Sequence, residues 1–203
     1  MSIESVGFEG ALISLSLIVA IGAQNAFVIR QGLSNHHVFL VCTICAFSDA
    51  VLISLGIFGL GEFLSNSSEI TEIIEWVAIC FLLTYSMIRF KAAWDGNTLE
   101  ISEDENQFSA KKTAMITMGF TWLNPHVYLD TTVLLGTASL QFQGDEKIAF
   151  AIGAMSSSFL FFYSLGFGAR RLAPLLKTKE VWRIIDISIG IIMIWVAIGI
   201  YGS

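Results

Sequence analysis

The stretch DGNTLEISEDENQFSAKK, residues Asp95 to Lys112, decides how this chain is read. It is polar and acidic and shows no helical period of apolar residues, which marks a solvated linker. On both sides of it the sequence is apolar for most of its length. Of the 203 residues, 55% are hydrophobic and 14% charged, with a mean hydropathy of +0.72. A soluble domain carries about 25% charged residues to keep its exterior wet, so this composition predicts an exterior in lipid. Three apolar stretches precede the linker, near residues 9–29, 38–60 and 72–93, and three follow it, near 113–137, 147–168 and 183–202. Each approaches the ~20 residues that a helix rising 1.5 Å per residue needs to cross the hydrocarbon layer. The expected fold is an all-α membrane protein. Residues 1–94 form a first three-helix half, 95–112 an acidic cytoplasmic linker, and 113–203 a second three-helix half.

An odd number of spans per half inserts the second copy upside down, the inverted-repeat plan of many secondary transporters, with the site where the halves meet. The halves echo one another in detail. Asn25 is followed by Phe27 in the first span and Asn124 by Tyr128 in the fourth, while GLGEFL closes the second span and GFGARRL the fifth. The first, third and fifth connections hold ten of the eleven Lys and Arg, Arg30 and Arg89 among them, and Lys147 alone falls on the other side. By the positive-inside rule those connections are cytoplasmic and both termini lie outside. Trp94 and Trp182 then mark cytoplasmic helix ends and Trp76 an outer one. The opening MSIESVGFEG has two acids and no basic residue, so a cleaved signal peptide is not expected. No basic stripe points to nucleic acid. Cys42 and Cys45 have redox spacing, but without nearby His they read as small buried helix residues.

Several groups are out of place in lipid. IGAQNAFVIRQG, residues 21–32, sets Gln24 and Asn25 side by side just after Gly22. Asp49 lies in the middle of the second span, in CAFSDAVLISLG, where an ionised carboxylate costs about 2.5–3.5 kcal/mol. A local hydrogen bond to Ser48 and the backbone is the bland account of it. In the fourth span, TWLNPHVYLD combines Asn124, Pro125, His126 and Asp130. Pro125 removes a backbone donor and loosens the helix near Trp122 and Leu123, so Gly22 and Pro125 are the expected helix breaks. His126 and Asp130 are four apart and share a face, which suits either an internal ion pair or a carboxylate with a titratable neighbour. No Lys or Arg is expected in the central part of any span, which leaves Asp49 and Asp130 waiting for a cation: organic, metallic or a proton. Ser156, Ser157 and Ser158, and the glycines near the ends of the second and fifth spans, read as packing residues and not as site residues.

With these strings in view, the chain resembles the LysE-type basic amino-acid exporters over nearly its whole length. The resemblance is carried by GAQNAFVIRQGL, CAFSDAVLISLGIFGLG and TWLNPHVYLDTTVLLG. Related homoserine, threonine and leucine exporters typically carry a Pro-Gly-Pro-Asn turn where this chain has Gly22-Ala23-Gln24-Asn25. The resemblance implies a secondary transporter, not an enzyme, that exports L-arginine or L-lysine across a bacterial inner membrane without a cofactor or bound metal. It also implies that the aspartates at Asp49 and Asp130 matter for transport. The expected roles follow from the substrate's charges: Asp49 and Asp130 receive its cationic groups, and Gln24, Asn25 and Asn124 hold its carboxylate. His126, Asp49 or Asp130 would carry a coupled proton. The expected partners are a basic amino acid, membrane lipid and protons, with a second copy of the chain left open. The alternatives are a metal-cation exporter or a neutral amino-acid exporter of the same superfamily.

Overall fold

The computed structural model describes residues 2–19, 22–60, 68–95, 109–124, 127–172 and 178–201. Those residues are almost all helical, and no strand occurs among them. Helix α1, Ile3–Ile18, starts from Ser2, whose hydroxyl accepts from the Ser5 N–H, and Glu4 in its first turn suits the positive helix end. Helix α2, Ala23–Ser34, leaves α1 at 84°. The expected single span at 9–29 is therefore two helices, with Gly22 in extended conformation as the N-cap that precedes α2. Asn35, at φ 56°, closes α2 by donating its N–H to the Gln31 and Gly32 carbonyls. Helix α3, Val38–Leu55, follows at once and runs into a π-helical turn, Gly56–Leu60, in which Gly59 has φ 123°.

Helix α4 is Ser68–Asp95, and α5, Ala110–Trp122, begins at Ser109, whose Oγ accepts from the Lys112 N–H. Of the expected linker at 95–112, Asp95 ends α4, residues 110–112 begin α5, and 96–108 lie outside the described residues. The fourth span is discontinuous. After α5 the chain resumes as a π-helical stretch, Tyr128–Leu134, then a short helix, Leu135–Ala138. Helices α6, Gly144–Leu172, and α7, Lys179–Tyr201, complete the bundle. Among the described residues, Val38–Gly59, Gly144–Leu172 and Lys179–Gly199 are each long and apolar enough to cross a membrane, and α1 and α2 reach that length and composition when the bent pair is taken together. The other two expected stretches are helical as well: α4 carries the apolar run 76–93, and the fourth stretch is divided between α5 and the pieces from Tyr128 to Ala138.

Lipid offers no hydrophobic drive between helices, so close approach of small residues holds the bundle. α1 and α6 touch through glycines: a Cβ on Gly10 would strike the Phe150 carbonyl, and one on Gly153 the Gly7 carbonyl. α2 meets α6 in the same way, a Cβ on Gly32 falling 2.5 Å from the Gly166 oxygen. The turn after α3 meets the fourth span where a Cβ on Gly136 would lie 2.7 Å from the Gly56 oxygen. α4 packs along α7, with the Ser86 hydroxyl donating to the Gly190 carbonyl at 3.0 Å. Large side chains such as Phe8, Phe47, Met87 and Leu160 point outward, as lipid-facing residues do. Trp94 is exposed, whereas Trp182 is not a belt residue: it is 4% exposed and packs with Leu33 and Ala169.

Candidate functional site

A cavity of about 420 Å³ lies where the break between α1 and α2 faces α3, the break after α5, α6 and α7. Gln24, Asn25, Asp49 and Asn124 all line it, together with Thr131 and the apolar Leu17, Phe162 and Val196. The fold thus brings five of the residues singled out in the sequence, these four and Gly22, to one cavity. Asp49, 3% exposed, accepts a hydrogen bond on Oδ2 from the Ser158 hydroxyl of α6 at 3.1 Å. Its Oδ1 is buried and has no hydrogen-bond partner among the described residues. Ser48, the partner expected from sequence, is engaged elsewhere and accepts from Trp122 Nε1 at 3.1 Å. The Gln24 side chain reaches toward Asp49 and Cys45. Its Nε2 is likewise buried without a hydrogen-bond partner among the described residues. One acceptor and one donor are therefore left open on the cavity wall, each at a cost of about 1–3 kcal/mol that a ligand with complementary groups would remove.

Both helix breaks are stitched in the same manner. A helix end leaves its last carbonyls without intrahelical partners. Asn25 Nδ2 donates back across the first break to the Ile18 carbonyl at 2.7 Å, and the Tyr128 hydroxyl donates across the second to the Trp122 carbonyl at 2.7 Å. Gly22, the N-cap of α2, offers no side-chain cap and lines the cavity. Replacing Asn25 with Leu strands the Ile18 carbonyl and is expected to cost about 1–3 kcal/mol, read as a lowered thermal midpoint of the detergent-solubilised protein.

The backbone of Asp130 lies in the π-helical stretch Tyr128–Leu134. Pro125 and His126 lie outside the described residues. Sequence reasoning passed over two groups. Ser158, read as a packing residue, holds Asp49; the signal was its mid-span position on the helix that packs against α3. The second is a pair of basic residues that the charge map assigns to the connections. Arg30 (0% exposed) and Arg89 (3%) are buried in α2 and α4, and both face Asp186 of α7, at 3.1 and 3.5 Å. Arg30 lies within α2, which continues to Ser34, past the expected end of the first span at 29.

Helices broken in mid-course around a cavity with a few polar side chains on its wall, with apolar side chains turned outward, are the build of a membrane translocator and not of an enzyme. The profile of the LysE type translocators matches residues 15–201, and the chain belongs to that family. It is 39% identical over 194 residues to the arginine exporter protein ArgO of Pectobacterium carotovorum subsp. carotovorum, covering 96% of this chain and 95% of that one. It is 40% identical over 187 residues to ArgO of Salmonella paratyphi B, covering 92% and 88%. No solved structure matches the chain. Family and helices together make it a protein of the bacterial inner membrane.

Proposed function

We propose that this protein exports L-arginine, and L-lysine, from the cytoplasm as a secondary transporter. One observation carries the reading: a buried carboxylate oxygen of Asp49 and a buried amide of Gln24 both lack hydrogen-bond partners among the described residues, on the wall of one cavity. A free basic amino acid brings the matching cation and carboxylate. Asp49 and Asp130 take its positive groups, and Gln24, Asn25, Asn124 and the uncapped start of α2 take its carboxylate. Two relatives carrying the name arginine exporter favour arginine as the substrate. A cell negative inside opposes loss of a cation by about 2.3 kcal/mol per charge per 100 mV. Inward proton movement through His126, Asp49 or Asp130 supplies the coupling.

The six-span inverted repeat is part of this proposal. Exchanging the halves turns the contact of α1 with α6 into that of the fourth span with α3, and maps the α4–α7 and α3–α6 contacts onto themselves; all of these contacts occur. Removing the buried Arg30 and Arg89 from the charge map leaves eight basic residues against Lys147, which still favours termini on the outside. The test is growth of an exporter-deficient strain challenged with canavanine or arginine-containing dipeptides. The protein is expected to restore growth. Failure to do so while inserted in the membrane would sink the substrate assignment.

A further inference from the structure

Three side-chain layers are stacked in register on one side of the cavity. Along α7, Val196 lines the cavity, Met193 and Ile189 come next, and Asp186 last, a spacing that keeps all four on one helix face. Along α2 the same order is Asn25, Phe27 and Arg30. Along α4, Tyr85 precedes Arg89 by one turn, and the Arg89 guanidinium lies over the Tyr85 ring at 5.0 Å. The middle layer is an aromatic plug. Phe120 of α5 has ring centroids of Phe27, Phe81 and Tyr85 within 4.8–4.9 Å. Beyond it, Arg30 Nε and Arg89 Nη1 share Asp186 Oδ1 at 3.1 and 3.5 Å. The separation from the cavity is about 8 Å along α2 and about 15 Å along α7 at 1.5 Å per residue.

We propose that Arg30, Arg89 and Asp186 form a gate that closes one end of the translocation path, the end at which α2 finishes and α7 begins. This rests on the reading of the cavity as the translocation site. The triad ties α2 and α4 of the first half to α7 of the second. In an alternating-access cycle the two halves rock against each other, and a contact joining them beyond the substrate site is broken in one state and made in the other. An ion triad suits that task because buried charges are stable only while paired, which gives two discrete states instead of a gradual opening. The break at Gly22, where α2 leaves α1 at 84°, is the point about which Arg30 swings away from α7.

The test uses the full chain in membrane vesicles, its three cysteines replaced by alanine, with Val196→Cys on the cavity wall and a membrane-impermeant cationic thiol reagent. Vesicles of both orientations are compared. Asp186→Asn is expected to raise the reaction rate from the triad's face by about tenfold or more, with no such rise from the opposite face. The double variant Arg30→Gln with Asp186→Asn, which removes one charge of each sign, serves if the single variant does not insert. An unchanged rate from both faces in an inserted variant overturns the gate. The face that responds reports the orientation independently. If canavanine protection fails while Asp186→Asn still opens the cavity, the substrate assignment falls and the gate stands.

Discussion

Asp49→Asn is expected to slow uptake of labelled arginine into everted vesicles by roughly 100-fold, the factor equivalent to about 3 kcal/mol. Asparagine is nearly isosteric with aspartate and keeps an oxygen to accept from the Ser158 hydroxyl at this position. Packing therefore changes little, and what is lost is the charge. Asp49 is 3% exposed, so a guanidinium or ammonium seated there is stripped of water and depends on a charge-assisted bond, about twice as strong as a neutral one. The loss belongs mainly to transport and only slightly to stability. A variant that moves arginine as fast as the parent, at equal amounts in the membrane, removes the ion pair from the mechanism. Ser158→Ala leaves the carboxylate but frees its orientation, so a milder loss, about tenfold at most, is expected in the same assay.

Gly153→Ala is expected to destabilise the bundle by about 3 kcal/mol, at the upper end of what overpacking costs. The added Cβ would strike the Gly7 backbone carbonyl, which cannot rotate away as a side chain can. α1 and α6 must then separate, and Gly10 would lose its seat on Phe150 as well. The readout is the thermal midpoint of the purified protein in detergent. Gly168→Ala on the same helix is the control. Nothing lies within 4 Å of a Cβ there, and alanine favours a helix over glycine by about 1 kcal/mol. That variant should match the parent or exceed it. Equal midpoints for Gly153→Ala and the parent would show that the glycine contacts do not hold the two helices together.

The sequence made some of this legible and hid the rest. Hydropathy revealed the apolar stretches and the polar linker because membrane insertion selects on composition over ~20 residues, a scale visible along a single chain. Asp49 stood out for the same reason: a carboxylate amid apolar neighbours needs an explanation. Gln24, Asn25 and Asn124 were conspicuous as amides beside a glycine or a proline. Ser158 was not, since an intramembrane serine is usually a packing residue and nothing local says that it faces a carboxylate 109 positions earlier.

The sequence by itself thus determined that this is a helical membrane protein with breaks near Gly22 and Asn124 and an acid in the middle of α3. Those are properties of single segments, settled by each segment's own solvent preference and backbone hydrogen bonding. The tertiary structure alone decided that the two amide-bearing breaks and Asp49 share one cavity, and that Arg30 and Arg89, which a linear count assigns to the surface, converge on Asp186. Which side chains meet is set by helix–helix approach through residues such as Gly32 and Gly153. The energy of a buried charge depends on partners contributed by other helices, which no local pattern encodes.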